Sequence, residues 1–205
     1  MANLIYVANT SLDGYTEDQD GTFDWTEPSE EYFTFITNLV RAPRTLLYGR
    51  RMYESMMVWE TDPNLAAVSP LRREFAEIWQ AANKIVYSRT LKTISTRKTQ
   101  LEQTFDPEAI RQLKAVSEHD ILIGGPELAA HAFRAELIDE CHLFIIPILV
   151  GGGKSALPAN VRLDLELLEE RRFANGTVYL RYRTMQRIAT LDSMQLTGGN
   201  RRHAT

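Results

Sequence analysis

Short apolar segments alternate with helix-forming segments along most of this chain, and this alternation restricts the fold more than any other feature of the sequence. The apolar segments are rich in β-branched and aromatic side chains, which is typical of strands in the interior of a sheet. They comprise residues 4–8, 45–48, 84–88, 121–123 and 142–146. Strands that alternate with helices predict an α/β fold with a mainly parallel sheet.

The intervening helices carry recognisable start signals. Ser69-Pro70 and Asp106-Pro107 each place a side-chain oxygen before a proline, an order that caps the first turn of a helix and fits its backbone angles. These signals predict helices over residues 70–82 and 107–118. A third helix is predicted over residues 126–138, where apolar side chains follow helical spacing directly after a double glycine.

The sheet is expected to end in an antiparallel hairpin. Apolar residues alternate with polar ones over 163–167 and 178–182, and Asn175-Gly176 lies between these two segments. An Asn-Gly pair favours a type I′ turn, because both central residues of that turn take positive φ angles. Residues 188–205 lack apolar periodicity and are interpreted as a loose tail after a single domain over residues 1–187.

The composition excludes several classes of protein. The 205 residues carry a net charge of −4 and have an isoelectric point near 5.6, which argues against a nucleic-acid-binding surface. No apolar segment is long enough to predict a membrane span, and no basic segment precedes the apolar start of the chain as in a signal peptide. The lone Cys141 excludes an internal disulfide, and we expect a cytoplasmic protein.

Negative charge is concentrated at the start of the chain. Residues 1–40 contain eight acidic residues and no lysine or arginine, which leaves 19 of the 27 acidic residues and all 23 basic residues to the rest of the chain. An acidic surface loop that keeps the protein soluble explains most of these acids. A functional role would require only one of the carboxylates.

Three loops that follow predicted strands have residues suited to bind anions. Parallel sheets bind ligands at the carboxyl ends of their strands, which directs attention to the loops after residues 8, 48, 88 and 123. Helix-terminal amides, glycines and arginines in such loops all favour phosphate groups. The loops are Gly49-Arg50-Arg51-Met52, Ser88-Arg89-Thr90 and Gly124-Gly125. Each has an ordinary structural explanation when taken alone, but their convergence at one sheet edge favours a dinucleotide.

Several common catalytic motifs are missing from the sequence. There is no G-x-G-x-x-G or G-x-S-x-G, and Gly153-Lys154-Ser155 matches only the end of a P-loop because Ile148 stands where that motif needs glycine. Neither Cys141 nor any of the four histidines has the spacing of metal ligands, so no metal site is predicted. The pattern favours chemistry carried by a bound cofactor.

Seven segments together point to a known family: residues 11–15, 47–54, 84–91, 123–128, 137–140, 147–154 and 175–182. In this order they resemble the dihydrofolate reductase-like family. Within it they are most similar to the branch that contains the reductase domain of the riboflavin-pathway bifunctional deaminase-reductase. The resemblance covers residues 3–184 and is more specific for the fold than for the substrate.

This resemblance implies an NADPH-dependent reductase with a dihydrofolate reductase-like fold. In such a protein Ala8 and Asn9 line the nicotinamide end of the cofactor, and Asp13-Gly14 lies on a mobile loop above it. The double glycine of the family often contains a non-proline cis peptide. The other implied cofactor contacts are Gly49, Arg50, Arg51 and Met52 for phosphate, Ser88, Arg89 and Thr90 for the ribose 2′-phosphate, and Gly124, Gly125, Pro126, Glu127 and Leu128 for the pyrophosphate.

The resemblance also implies residues on the substrate side. Folate reducers have a carboxylate near the start of the first helix that assists protonation, and Glu30 stands at that place, with Glu31 as a near alternative. Trp25, Tyr32 and Phe33 are expected to line the substrate. The alternative is that both acids only complement the helix dipole and that Trp25 belongs to the core.

Two hypotheses for the function stay open. The first is hydride transfer from NADPH to a small heterocycle, either a pyrimidine of the riboflavin type or a pterin. The second is a dinucleotide-binding dimer without turnover. A homodimer is implied in either case, with the strand over 142–150 and the final hairpin as its candidate interface, unless that strand is simply central to the sheet. Neither hypothesis involves nucleic acid or a membrane.

Overall fold

Eight strands form one sheet at the centre of the computed structural model, which describes residues 1–26 and 28–185. In spatial order the strands, numbered along the chain, are β5 (Thr99–Glu102), β4 (Asn83–Tyr87), β3 (Thr45–Gly49), β6 (Ile121–Gly124), β1 (Leu4–Ser11), β7 (Glu140–Ile146), β10 (Val178–Met185) and β9 (Asp164–Arg172). The tail predicted over residues 188–205 lies outside the described residues.

The first six strands in this order are parallel to one another, and the last two complete an antiparallel hairpin. The predicted α/β fold, with its mainly parallel sheet and C-terminal hairpin, is therefore confirmed. Because parallel strands point the same way, all six end along one side of the sheet, called the carboxyl edge below. The three predicted anion-binding loops all begin at this edge.

The helices start where their sequence signals place them. The Ser69 hydroxyl accepts a hydrogen bond from the Arg72 amide, and the Asp106 carboxylate accepts one from the Glu108 amide, so both predicted caps are confirmed. No helix within the described residues is long and apolar enough to cross a membrane. The helices are α1 (Glu30–Arg41), α2 (Arg50–Met56), α3 (Val58–Thr61), α4 (Pro63–Ala67), α5 (Pro70–Ala81), α6 (Pro107–Val116) and α7 (Pro126–Arg134).

Helix α7 ends four residues earlier than predicted, at Arg134 rather than at residue 138. Glu136 takes a left-handed φ of +55°, and the Leu137 amide reaches back to the Ala132 carbonyl at 2.9 Å. This Schellman arrangement satisfies the last carbonyls and turns the chain out of the helix. Leu137 and Ile138 are still buried, so their apolar character reflects packing against the sheet rather than another helical turn.

Alternation along the strands divides the core between the two faces of the sheet. Leu4 and Tyr6 of β1 pack with residues of α6 and α7 on one face, whereas Ile5 packs with residues of α2 and α5 on the other. A third cluster lies under α1, where Tyr32 contacts Phe144 of β7. The sheet beneath the carboxyl edge is therefore packed on both of its faces.

The final hairpin has a different turn from the predicted one. Gly176 has a positive φ of +88°, but Asn175 does not, so a two-residue type I′ turn is wrong. The Phe173 carbonyl accepts from the Gly176 amide at 3.0 Å, and the Phe173 amide donates to the Thr177 carbonyl at 2.9 Å. This is a three-residue loop that ends in a left-handed glycine.

Candidate functional site

Two glycine-containing turns touch each other at the carboxyl edge, one between β3 and α2 and one between β6 and α7. A Cβ atom placed on Gly125 would lie 3.9 Å from the Gly49 nitrogen and 3.5 Å from Met52 Cβ, and one on Gly124 would lie only 3.1 Å from the Tyr48 ring. Gly125 also has a φ of +93°. Two of the three predicted anion-binding loops are therefore neighbours. Their close approach requires glycine at both residue 124 and residue 125, because a side chain at either position would contact the other turn.

The double glycine has trans geometry, because the described residues contain no cis peptide bond. The cis peptide that the resemblance led us to expect at this double glycine is thus not part of the described backbone. The left-handed Gly125 instead turns the chain from the strand into the helix.

The start of α7 has backbone amides without a side-chain acceptor. Ser29, Ser69 and Asp106 cap the three other helices of nine or more residues in the described chain, but the residue in the capping position of α7 is Gly125. Pro126 follows and has no N–H, so the amides of Glu127 and Leu128 face outward from the first turn. Such a terminus favours an anion such as phosphate.

Two arginine side chains at the start of α2 lie near the uncapped start of α7. Arg50 is about half exposed, and its one ion pair with a described residue is a long 4.0 Å contact with Glu54. Arg51 is 64% exposed and pairs with Glu17 at 3.2 Å. Both guanidinium groups are accessible from solvent, and their positive charge suits the phosphate groups of a dinucleotide.

The third predicted loop follows β4. Ser88 is buried, and its hydroxyl accepts hydrogen bonds from the amides of Thr90 and Leu91 at 3.2 and 2.9 Å. Ser88 therefore shapes the turn, which leaves Arg89 and Thr90 exposed at its tip. Arg89 forms no ion pair with any residue that the structure describes.

The end of β1 is organised by a hydrogen bond from helix α1. The Tyr32 hydroxyl donates to Asn9 Oδ1, and the Tyr32 ring packs between Phe144 and Phe173. Burial raises the pKa of Tyr32 far above its ordinary value, so the hydroxyl stays a donor. Ala8 is buried beside Asn9. Tyr32, which was predicted to line the substrate, is thus a buried residue that holds the side chain of Asn9 in place.

The loop after β1 is fastened to the loop after β7. The Asp13 carboxylate accepts from the amides of Val150 and Gly151 at 3.2 and 2.7 Å. A hydrogen bond with Ser11, together with these amides, lowers the pKa of Asp13. Gly14 follows with a φ of +91° and leads into β2 (Tyr15–Glu17), which pairs with β8 (Lys154–Ser155) as a small second sheet.

A cluster of four charged side chains links this small sheet to the two glycine turns. Lys154 Nζ lies 3.2 Å from Glu17 Oε1 and 3.4 Å from Glu127 Oε1, and Glu17 Oε2 lies 3.2 Å from Arg51 Nη1. We call Glu17, Arg51, Glu127 and Lys154 the edge cluster. Glu17 and Lys154 were not predicted as site residues, because the sequence gives no signal that they meet.

The two predicted catalytic carboxylates lie at the exposed start of α1. Glu31 accepts hydrogen bonds from the Ala174 amide at 3.0 Å and from Arg171 at 3.1 Å, and these two interactions lower its pKa. Glu31 thereby ties α1 to the hairpin. Glu30 is exposed beside it. The structure does not test which of them takes part in catalysis, and that assignment stays a prediction.

The remaining residues predicted to line the substrate point in different directions. Phe33 is half-buried and stacks on Trp59 with 5.9 Å between ring centres, away from Tyr32. Trp25 lies on a short 3₁₀ helix before α1, and its indole nitrogen is buried without a hydrogen-bond partner among the described residues. Of the three aromatic residues, Tyr32 is the one that hydrogen-bonds to Asn9 in the described part of the chain.

Cys141 and His142 project to opposite faces of β7, as predicted. Burial raises the pKa of the Cys141 thiol to about 12, which does not suit a nucleophile. His142 is held between Glu140 at 2.9 Å and the Tyr179 hydroxyl at 3.0 Å. The described residues contain no group of three side chains arranged to bind a metal ion.

The family model described as the RibD C-terminal domain matches residues 2–179 of the chain. A curated relative, the uncharacterized protein YyaP of Bacillus subtilis (strain 168), is 27% identical over an alignment of 182 residues that covers 84% of this chain and 89% of its own.

Solved structures share the same fold. The crystal structure of a protein from Shewanella sp. PV-4 that is named for riboflavin biosynthesis has a TM-score of 0.69 and 22% identity, over 91% of this chain and 100% of its own. A diaminohydroxyphosphoribosylaminopyrimidine deaminase/5-amino-6-(5-phosphoribosylamino)uracil reductase from Thermotoga maritima has a TM-score of 0.60 and 14% identity. The match covers 90% of this chain but only 57% of that longer protein.

Proposed function

The chain belongs to the RibD C-terminal domain family, and we propose that it is a reductase that transfers a hydride from NADPH to a small heterocycle. The substrate class is a pyrimidine of the riboflavin-pathway type or a pterin. The observation that carries the proposal is the contact between the β3–α2 and β6–α7 turns, which brings uncapped helix amides and arginine side chains together at the carboxyl edge.

The residues present fit a dinucleotide. The amides of Glu127 and Leu128 would bind the pyrophosphate, and Gly124 and Gly125 let this turn pack against Tyr48 and Met52 of the neighbouring turn. Arg50 would add a charge-assisted hydrogen bond to a phosphate. These contacts would serve NADPH and NADH alike.

Preference for NADPH is assigned to the loop after β4. Arg89 and Thr90 stand exposed at the tip of the turn that Ser88 forms, and a guanidinium beside a hydroxyl suits the additional 2′-phosphate. Because Arg89 has no carboxylate partner among the described residues, its charge is available to that phosphate.

The bound nicotinamide would supply the hydride, while the chain orients the reactants and excludes water. Tyr32 fixes Asn9 at the end of β1, where the nicotinamide would lie. Asp13 holds the covering loop against residues 150 and 151. Glu30 is the predicted proton source, since the Glu31 carboxylate is already bound by Arg171 and the Ala174 amide.

The second candidate function is dinucleotide binding without turnover. It is favoured by the exposure of both predicted acids and by the ion pair between Glu31 and Arg171. The two functions predict the same cofactor affinity but different behaviour when a pyrimidine substrate or dihydrofolate is added with NADPH. Only the reductase would consume NADPH.

We also propose a homodimer, formed through the hairpin side of the sheet. Strand β7 is central, with β1 and β10 on its two sides, so its backbone has no open edge for a second copy. The edge strand β9 instead exposes Leu165 and Leu167 by 44% and 47%, next to half-buried Tyr182 of β10. This apolar face is the candidate interface.

The test is a tryptophan fluorescence titration with NADPH and NADH. Arg89→Ala should weaken NADPH binding by about tenfold or more and leave NADH binding nearly unchanged, whereas Arg50→Ala should weaken both. Arg134→Ala is the matched control, because this exposed arginine lies at the far end of α7. If the wild-type protein bound neither dinucleotide, the proposed function would be wrong.

A further inference from the structure

The edge cluster contains two cations, Arg51 and Lys154, and one carboxylate, Glu17, that is shared between them. Arg51 is already an expected phosphate contact, whereas Lys154 has had no role so far. We propose that Arg51 and Lys154 form a phosphate clamp for the bound dinucleotide, and that Glu17 is an internal anion which occupies the clamp until a phosphate replaces it. This inference rests on the proposed function and adds to it a binding residue, Lys154, and a competitor, Glu17.

The geometry of Glu17 is that of a bridging anion. One carboxylate oxygen contacts Arg51 at 3.2 Å and the other contacts Lys154 at 3.2 Å. The Glu17 side chain is only 18% exposed and that of Lys154 only 19%, so water screens this contact less than it screens most surface pairs. A phosphate presents two or more oxygens in the same way and carries at least as much charge.

Lys154 is placed beside the amides proposed to bind the pyrophosphate. Its ammonium group is 3.4 Å from the carboxylate of Glu127, the second residue of α7, whose own side chain is 81% exposed. Lys154 thus lies between the small sheet and the uncapped start of α7. A phosphate held by the first-turn amides of α7 would be within reach of this ammonium group.

The backbone fixes the position of Glu17. In the pairing of β2 with β8, Glu17 lies opposite Lys154. Behind this pair, Gly153 approaches so closely that a Cβ atom on it would lie 2.0 Å from the Glu17 carbonyl oxygen. Since the two backbones are in direct contact, the carboxylate and the ammonium are brought together by the strands and not by two flexible side chains that happen to meet.

The positive and negative charges of the edge cluster are equal in number, so an incoming phosphate must compete with Glu17 for Arg51 and Lys154. Arg51 and Lys154 are opposed by Glu17 and Glu127, so the cluster as built is neutral and offers little net attraction to a phosphate. Removing the charge of Glu17 would leave one positive charge in excess at the same place. Dinucleotide binding should therefore become tighter when Glu17 is neutralised, whereas most substitutions at a binding site weaken binding.

The experiment compares the NADPH affinity of the 205-residue chain with that of its Glu17→Gln, Lys154→Gln and double variants. Glu17→Gln should bind NADPH about three- to tenfold tighter, and Lys154→Gln should bind it more weakly. The decisive comparison is Lys154→Gln in the Glu17→Gln background, where the lysine has lost its bridging partner. Lys154→Gln should still weaken NADPH binding in this background, because the proposal makes the phosphate, and not Glu17, the functional partner of Lys154.

Glu166→Gln is the matched control, since Glu166 also pairs with an arginine at 3.1 Å but on the hairpin, and NADPH affinity should not change. Unchanged or weaker binding by Glu17→Gln would overturn the proposal. So would a Lys154→Gln effect that disappears in the Glu17→Gln background, because Lys154 would then only hold Glu17.

Inorganic pyrophosphate, titrated by calorimetry, separates this inference from the proposed function. Tighter pyrophosphate binding by Glu17→Gln, in a protein that binds no NADPH, would support the clamp and refute the reductase. If wild type and all variants bound neither pyrophosphate nor NADPH, both proposals would be wrong.

Discussion

Gly153→Ala should release the small sheet from the carboxyl edge while leaving the large sheet intact. Gly153 has a φ of +131°, a backbone conformation that costs an alanine about 1–3 kcal/mol. The new Cβ would also lie 2.0 Å from the Glu17 carbonyl oxygen and 2.6 Å from the Asp18 carbonyl carbon. Backbone atoms must move by more than an ångström to relieve such contacts, so we expect about 3 kcal/mol or more of local destabilisation in total.

Hydrogen exchange at the Ala156 amide measures this effect directly. This amide donates to the Gly14 carbonyl at 2.9 Å and so reports on the attachment of the β2 segment to the β8 segment. A local cost of about 3 kcal/mol corresponds to exchange that is at least about a hundredfold faster than in the wild-type protein. Amides of β1 and β6, in the centre of the large sheet, should keep their protection.

Gly151→Ala is the control for this experiment. Gly151 also has a left-handed φ, +75°, but a Cβ atom there would have nothing within 4 Å. Its cost should be only the conformational one, about 1–2 kcal/mol. Equal acceleration of Ala156 exchange in the two variants would refute the reasoning, because it would show that contact with the Glu17 backbone adds nothing to the strain.

Three further predictions concern the hairpin side of the sheet. Arg181→Met should lower the free energy of unfolding by about 2–4 kcal/mol in urea denaturation, because it removes the bidentate partner of Glu140, whose side chain is only 6% exposed. Burial lowers the pKa of His142 below its ordinary 6.5, so the unfolded chain takes up a proton at a higher pH than the folded chain does. The free energy of unfolding should therefore fall as the pH is lowered from about 7.5 through 6.5. In His142→Gln, the free energy of unfolding should depend less steeply on pH. Leu167→Glu should convert the proposed dimer to a monomer in sedimentation, whereas Val116→Glu, a change of a still more exposed apolar residue at the end of α6, should not; a monomeric wild-type protein would contradict the dimer.

The fold was predictable because its signals are local. The serine and aspartate caps act within three residues of their own position, and the apolar strands are recognisable from their composition. The turn of the hairpin was predicted wrongly because packing decides it. Phe173 is 1% exposed in the cluster under α1, and its burial fixes the pairing with Thr177, which leaves three residues for the loop instead of two.

The candidate site was predictable only in part. The predicted residues follow strands that the sequence indicates, whereas the missed residues meet only through contacts between distant parts of the chain. The glycine and arginine loops each follow a strand that the sequence indicates, and the parallel arrangement brings them to one edge. Glu17 and Lys154 meet across 137 residues, through a two-strand sheet that has no sequence signature. In the sequence, Lys154 after three glycines resembles the end of a P-loop, and only the pairing of β2 with β8 reveals its actual neighbours.

The charge asymmetry of the chain acquires a structural explanation from these contacts. Of the seven acids that the structure describes among residues 1–40, three bind groups from distant parts of the chain: Asp13 binds the amides of residues 150 and 151, Glu17 binds Arg51 and Lys154, and Glu31 binds Arg171 and the Ala174 amide. Each contact fastens the N-terminal segment to an element beside the carboxyl edge or the hairpin. A merely solubilising acidic loop would have no such specific partners. Through Glu17 and Glu31, part of the negative charge at the start of the chain is paired with basic residues that follow it. Raising the ionic strength should therefore loosen the covering loop before it affects the apolar core.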